Sequence, residues 1–358
     1  MDLKSSGETL RILLVGYTRP WSLEDAYRRA LLRRSGVSLE VFSIDGGVPD
    51  TPSPGLLRRA FRRLAAPAEV RAVRRRLLDA ISTSHQPMDV ILIFKGTPFS
   101  RTFLEECARV CPRAVWVNVN PDDPTNLAAR GSTSRDVFES LSFFDLYVTY
   151  SRSLAPRLRD LGCRRVERIP FGFDADVHRP PSIAPPASPQ GVSFIGTWDP
   201  ERESILAGIA DFDVRVFGPH WNRASAASKK RLNIAGDALF GESYSREIHG
   251  SLVSLNLLRP QSRDSQNMRT FEIPAVGGLM LTEPTPELSE FLTPDEAFLT
   301  FSTPGELRAQ IARVAAAPGE FDRVRERALK EISAHSYDDR ARRLVDCISE
   351  LVAQRRAK

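Results

Sequence analysis

The chain has 358 residues, of which 42% are hydrophobic and 27% charged, with a formal net charge of +5. That balance excludes a disordered chain, and the length suffices for two domains that each bury a core. No stretch nears the ~20 apolar residues of a membrane span, and Met1 to Leu10 place no apolar run behind their charges, so a soluble, cytoplasmic protein is expected.

Arg11 to Tyr17 reads as a short buried strand ending in glycine, Ser22 to Ser35 as a helix, and Val37 to Ile44 as a second strand. Arg58, Arg59, Arg62, Arg63, Arg71, Arg74, Arg75 and Arg76 follow, interleaved with apolar residues in a helical rhythm. They read as a solvated helix face, with contact to an anionic membrane or an anionic acceptor as the alternative. No nucleic-acid-binding module accompanies them. Strands are then expected at Asp89–Phe94, Ala114–Val119, Phe144–Tyr150 and near Arg165–Ile169, with helices at Phe103–Val110 and Ser153–Leu161. Apolar strands alternating with helices give a parallel sheet covered on both faces, so residues 1–178 form one doubly wound, Rossmann-like domain.

Arg179 to Pro189 is too rich in proline to continue a helix or a central strand and reads as a linker. The alternation then restarts in a second domain, 190–358. Its strands are expected at Val192–Gly196, Asp213–Gly218, Leu252–Leu258 and Gly278–Thr282. Helices are expected from Glu201, at Pro304–Ala316, Glu320–Ser333 and Asp338–Arg355. Two such α/β halves place a ligand in the cleft between them, at the carboxyl ends of the strands.

Several chemistries are disfavoured. Cys107, Cys111, Cys163 and Cys347 complete no zinc tetrad. Only Gly16 follows the first strand where a dinucleotide fingerprint would need three glycines, and no Walker loop is present. The most informative stretch is Asp264-Ser-Gln-Asn-Met-Arg-Thr-Phe-Glu-Ile-Pro-Ala-Val-Gly-Gly278, which starts as a strand-end loop and becomes a helix N-terminus. Free backbone N–H groups there suit a diphosphate, Arg269 can add charge-assisted bonds, and Glu272 can accept from ribose hydroxyls. The structural alternative makes Glu272 a capping or salt-bridging residue and Gly277-Gly278 a turn. Asp122 and Asp123, between two prolines after a strand, fit a rigid turn, an acceptor or general-base role, or a metal site. His178 and His220 lie near the expected cleft, where a lone histidine is more often structural.

Arg269 to Gly278, followed by Leu-Met-Leu-Thr-Glu283, resembles the signature of the CgeB-like glycosyltransferases, named after a spore-maturation protein and related to the large retaining GT-B group. Asn118-Val-Asn-Pro-Asp-Asp-Pro124, Ile169-Pro-Phe-Gly-Phe-Asp174 with Val177-His-Arg-Pro180, Phe194-Ile-Gly-Thr-Trp198 with Glu201-Arg-Glu203, Val216-Phe-Gly218 with Trp221, Leu255-Asn-Leu-Leu-Arg259 and His335-Ser-Tyr-Asp-Asp-Arg340 agree in order. The resemblance is strong after about Ala114 and weak before it. It implies the α/β GT-B architecture of two Rossmann-like, doubly wound parallel-sheet domains facing across a cleft. Glu272 takes the place of the second glutamate of the Glu-x7-Glu motif, which grips the donor ribose, and Asp264 replaces the first with a side chain one methylene shorter. The usual Arg and Lys pair for the diphosphate is missing at its common spacing, which leaves Arg202, Arg259 and Arg269 as candidates. Asn267 lies in the same loop, and Gly196 ends the first strand of the second half, where a missing side chain lets phosphates or the acceptor approach.

The resemblance thus implies transfer from a nucleotide-sugar donor, a co-substrate rather than a cofactor, to a glycan, protein or small-molecule acceptor. It favours retention without a metal ion, and Asp264 and Arg269 become the catalytic candidates of the second half. Asp122 and Asp123 become general-base candidates if the enzyme inverts. A catalytically silent GT-B binding protein and a periplasmic-type binding protein are the alternatives.

Overall fold

The computed structural model describes residues 9–45, 56–84, 86–127, 133–182, 189–259 and 263–357, with the side chains of 56–66 outside that set. The chain divides into Met1–Pro170 with Arg340–Lys358, and Phe171–Asp339.

The first unit runs β1 (Leu10–Gly16), α1 (Leu23–Leu32), β2 (Val37–Ser43), α2 (Leu56–Ser82), β3 (Val90–Phe94), α3 (Arg101–Val110), β4 (Val115–Asn120), α4 (Arg135–Glu139), β5 (Leu146–Thr149), α5 (Leu154–Asp160) and β6 (Val166–Arg168). The strands form one parallel sheet in the order β2-β1-β3-β4-β5-β6. β3, Val-Ile-Leu-Ile-Phe, is buried along its whole length, as a central parallel strand with helices on both faces must be. β2 lies at the edge and alternates with solvent. Helix starts follow local capping: Ser22 accepts from the Asp25 amide at 3.1 Å and Ser100 from the Phe103 amide at 3.4 Å. Along α2, Arg74 bonds the Pro98 carbonyl at 2.7 Å and lies over Phe103, and Arg76 bonds the Ser43 carbonyl and lies over Phe42. These two arginines therefore pack on their own unit. The side chains of Arg58, Arg59, Arg62 and Arg63 lie outside the described residues, as do 183–188 of the expected linker.

The second unit runs β7 (Val192–Ile195), α6 (Pro200–Ala207), β8 (Val214–Phe217), α7 (Ala226–Arg231), β9 (Asn233–Gly236), α8 (Gly241–His249), β10 (Val253–Asn256), α9 (Arg269–Ala275), β11 (Met280–Thr282), β12 (Leu299–Thr300), α10 (Pro304–Ala316) and α11 (Asp322–Ile332), and then the start of α12 (Tyr337–Arg356). Its parallel sheet has the order β12-β11-β10-β7-β8-β9. Phe194, Val216, Leu255, Leu281, Ile311 and Trp221 belong to its core.

The division differs from the sequence boundaries at both ends. Phe171 to His178 belong with the second unit, where Tyr337 donates to the Phe173 carbonyl at 2.8 Å. From Arg340 onward α12 belongs to the first unit. Arg355 bonds the Ala114 carbonyl and Asp145, Arg356 pairs with Asp89, and Glu350 pairs with Arg165. No helix among the described residues is long and apolar enough to cross a membrane.

Candidate functional site

In the second sheet, β7 leads to β8 and β9 on one side, while β10 leads to β11 and β12 on the other. Open α/β sheets bind ligands at the carboxyl ends of the strands where the order reverses, here between β7 and β10. Asp199 caps α6 by accepting from the Arg202 amide at 3.0 Å, which fixes Arg202 in the first turn beside this crevice. Arg202 is only 8% exposed. Its guanidinium donates to the Thr197 carbonyl after β7 at 3.0 Å and to the Leu257 carbonyl after β10 at 2.6 Å. Arg269 reaches the same edge and donates to the Ile195 carbonyl at 2.9 Å.

Burial pulls the Arg202 guanidinium down to about 10; Asp199 opposes the shift, and the like charges of Arg259 and Arg269 add to it. Arg202 and Arg269 thus both bond strand-end carbonyls at this edge, and Arg259 lies within electrostatic range of Arg202. Glu283 partly balances them and accepts from the Leu258 amide at 2.7 Å.

The first residue of α9, Arg269, lies over the Tyr244 ring at 4.8 Å and is hydrogen-bonded to the Glu272 carboxylate. Burial opposes the Arg269 charge, but Glu272 and Tyr244 outweigh it and raise the guanidinium above its usual range. The Glu272 side chain is 3% exposed, and its second oxygen lies 3.7 Å from His178 Nε2. The Asp174 amide donates to His178 Nδ1 at 3.1 Å, which makes Nδ1 an acceptor and leaves the ring proton on Nε2, facing Glu272. The salt-bridging alternative for Glu272 is thus realised, within a network of His178, Glu272, Arg269 and Tyr244. Neither Tyr244 nor the pairing of His178 with Glu272 was legible in the sequence.

Asn267 is turned inward. Its amide nitrogen donates to Asn256 Oδ1 at 2.7 Å and its oxygen accepts from the Thr270 amide at 3.2 Å, which ties α9 to the end of β10. The amides of Phe271 and Glu272 are also taken, by the Met268 carbonyl. The Thr270, Phe271 and Glu272 amides are therefore taken up by the turn that starts the helix, and arginine side chains add positive charge to the crevice. Asp264 is exposed and pairs with none of the described residues. A Cβ at Gly196 would meet the Phe194 ring at 2.8 Å, and the Gly218 backbone, at φ +137°, presses against Gly196. Trp221 donates to the Gly196 carbonyl at 2.9 Å, so the glycine serves close packing of the strand end.

In the first unit Asp122 and Asp123 sit just past β4, as expected. Asp123 accepts from the Thr125 amide and hydroxyl at 2.8 and 2.7 Å, the pattern of an Asx turn, and lies 3.7 Å from Arg157. Asp122 pairs with Lys95 at 2.7 Å, a residue the sequence did not single out. Among the described residues no three His, Cys, Asp or Glu side chains are placed to hold a metal ion.

Residues 202–346 match the model of the glycosyl transferase-like family. Curated protein sequences give no match. Among solved structures, the sucrose-phosphate synthase of Thermosynechococcus elongatus aligns with a TM-score of 0.67 at 15% identity, over 96% of this chain and 100% of that one. HepE of Anabaena, in complex with UDP and glucose, aligns with a TM-score of 0.65 at 12% identity, over 95% and 100%. A UDP-N-acetylglucosamine 2-epimerase aligns with a TM-score of 0.54 at 12% identity, over 94% and 95%. The chain has the GT-B fold of two Rossmann-like units, and the segment carrying Arg202, Arg259, Arg269 and Glu272 is glycosyl transferase-like.

Proposed function

We propose that the protein transfers a sugar from a nucleotide diphosphate sugar to an acceptor hydroxyl, with retention and without a metal ion, in the manner of a CgeB-like glycosyltransferase. The observation that carries this is that Arg202 and Arg269 both bond strand-end carbonyls at the β7/β10 reversal, with the charge of Arg259 acting on Arg202, inside the segment that matches the glycosyl transferase-like family. Preorganised cations in a poorly solvated crevice stabilise the charge that builds on a departing diphosphate. HepE, of the same fold, is seen with UDP and glucose, which makes UDP-sugars the first donors to try.

In a front-face transfer the anomeric carbon–phosphate oxygen bond breaks while the acceptor oxygen bonds the same face of that carbon. The acceptor proton passes to the departing phosphate oxygen, and the protein's part is alignment and charge stabilisation. Glu272 holds Arg269 in position, and the remaining lone pairs of its carboxylate serve a ribose hydroxyl. Asp264 lies on the exposed loop before α9, and its proposed contact is the donor sugar.

A thermal-shift screen of UDP, GDP, dTDP and CDP identifies the base, since a ligand of the folded state raises the melting temperature by mass action. NMR of the product's anomeric configuration then tests retention. Binding without release of nucleotide diphosphate from any sugar nucleotide would favour the silent binding protein.

A further inference from the structure

Near the start of the second unit, Asp174 to His178 form a closed turn. The amides of Val177 and His178 donate to the Asp174 carbonyl at 3.0 and 2.7 Å. The Asp176 amide donates to Asp174 Oδ1 at 3.0 Å, the pattern of an Asx turn. The imidazole folds back onto the same residue, and its Nδ1 accepts from the Asp174 amide at 3.1 Å. Backbone and ring of His178 are thus both tied to Asp174, which fixes the direction in which Nε2 points.

That direction is toward α8 and α9. The Tyr244 ring on α8 meets the imidazole edge to face, with centroids 5.6 Å apart, and carries Arg269 at 4.8 Å. Glu272 on α9 presents Oε1 at 3.7 Å from Nε2, with the His178 side chain 14% and that of Glu272 3% exposed. This separation exceeds a hydrogen bond, so the ring acts on the carboxylate as an aimed N–H dipole, strengthened by the poor solvation. A second proton on Nδ1 would sacrifice the bond from the Asp174 amide, which favours the neutral ring with its proton on Nε2. Glu272 Oε2 is held by Arg269, while Oε1 makes no hydrogen bond among the described residues. The terminal torsion of a glutamate is broad, so Arg269 alone does not set the plane of the carboxylate. Oε1 is the oxygen left for a ribose hydroxyl, and it is the one that His178 faces.

We infer that His178 is a positioning residue of the donor site, whose Nε2–H aims Glu272 Oε1 at the nucleotide. The inference rests on the ribose-binding role proposed for Glu272. A histidine that only closed the turn from Asp174 would act through Nδ1 and leave nucleotide affinity alone. One that positions Glu272 acts through Nε2, and the two ends of the ring can be removed separately. Asparagine places an amide oxygen near the Nδ1 position and keeps an acceptor for the Asp174 amide, with nothing at Nε2. Glutamine brings an amide N–H near the Nε2 position and gives up the acceptor for the turn.

The test titrates the full chain, His178→Asn and His178→Gln with UDP, GDP, dTDP and CDP, and records a melting curve of each without ligand. His178→Asn should melt as wild type does and lose about three- to tenfold in affinity for the nucleotide that wild type binds. His178→Gln should recover most of that affinity and melt at a lower temperature. With a sugar nucleotide as substrate, the loss in His178→Asn should fall on KM, with kcat little changed. Unchanged affinity in His178→Asn, or equal losses of affinity in the two folded variants, would overturn the inference and leave the proposed function standing. Wild type that binds none of the four nucleotides would defeat the proposed function, and this inference with it.

Discussion

Arg269 and Glu272 lie three residues apart on α9, one turn along the same face, and the carboxylate holds the guanidinium over the Tyr244 ring at the ends of β7 and β10. The cation assigned to the proposed donor site and its anionic partner are thus one unit, and each residue's effect on binding should pass partly through the other.

Glu272→Gln should weaken nucleotide binding and stability together. A hydrogen bond to a charged partner contributes about 1.5–3 kcal/mol, so affinity should drop by roughly ten- to a hundred-fold. The melting temperature should fall by a few degrees, about 2–4 °C per kcal/mol in a unit of this size. Calorimetric titration and a melting curve on Arg269→Ala, Glu272→Gln and the double variant should show strong non-additivity. Additive losses would mean that Glu272 acts independently of Arg269.

Arg202→Met separates binding from stability. Folding works against the Arg202 charge, since its folded-state value of about 10 lies below the ordinary 12.5. The folded protein would therefore shed this proton at lower pH than the unfolded chain, and near neutral pH the buried charge is a cost to stability. Removing it offsets the loss of donors to the Thr197 and Leu257 carbonyls, so the melting temperature should move by only a few degrees. Nucleotide affinity should fall by about tenfold or more. Unchanged affinity would remove Arg202 from the site.

Glu203 gives an acid-side signature. Hydrogen bonds from Ser228 and Trp198, and then Ser225, hold its carboxyl at about 2, below the ordinary 4.5. A carboxyl lowered in the folded state contributes stability above its unfolded value and loses it as pH falls toward the folded one. Urea unfolding of wild type and Glu203→Gln, followed by tryptophan fluorescence, should show a gap at neutral pH that narrows toward pH about 3. The wild-type emission should also respond, because Trp198 Nε1 donates to Glu203 at 2.7 Å. A gap that widens on acidification would contradict this assignment.

Turnover should be the same in chelator and in added magnesium or manganese, since arginines neutralise the leaving group in this account. Activity lost with chelator and restored by metal would bring Asp122 and Asp123 back as ligands, despite the Lys95 pairing and the Asx turn.

Much of this was legible in the chain because buried parallel strands advertise themselves as apolar runs, as β3 and β10 do. Arg269 could be singled out from its place at a helix start, whereas Arg202 and Arg259 became candidates only through the family resemblance. The edge strand β9, mostly exposed, and the two-residue β12 leave no such pattern. Helical periodicity shows that α12 has an apolar face but not which unit it covers, and only its contacts with Ala114, Asp145 and Asp89 assign it. The left-handed turn at Lys95 is a property of backbone conformation, so its pairing with Asp122 had no motif to announce it.

The most direct test of the central claim is release of nucleotide diphosphate from a panel of sugar nucleotides by the purified full chain, with Arg269→Ala alongside. One sugar nucleotide should be consumed, with diphosphate released in step with a new glycoside, and folded Arg269→Ala should lose about a hundredfold or more in kcat/KM. Sugar nucleotides left intact by folded protein supplied with acceptor sugars, or an unchanged rate in folded Arg269→Ala, would contradict it.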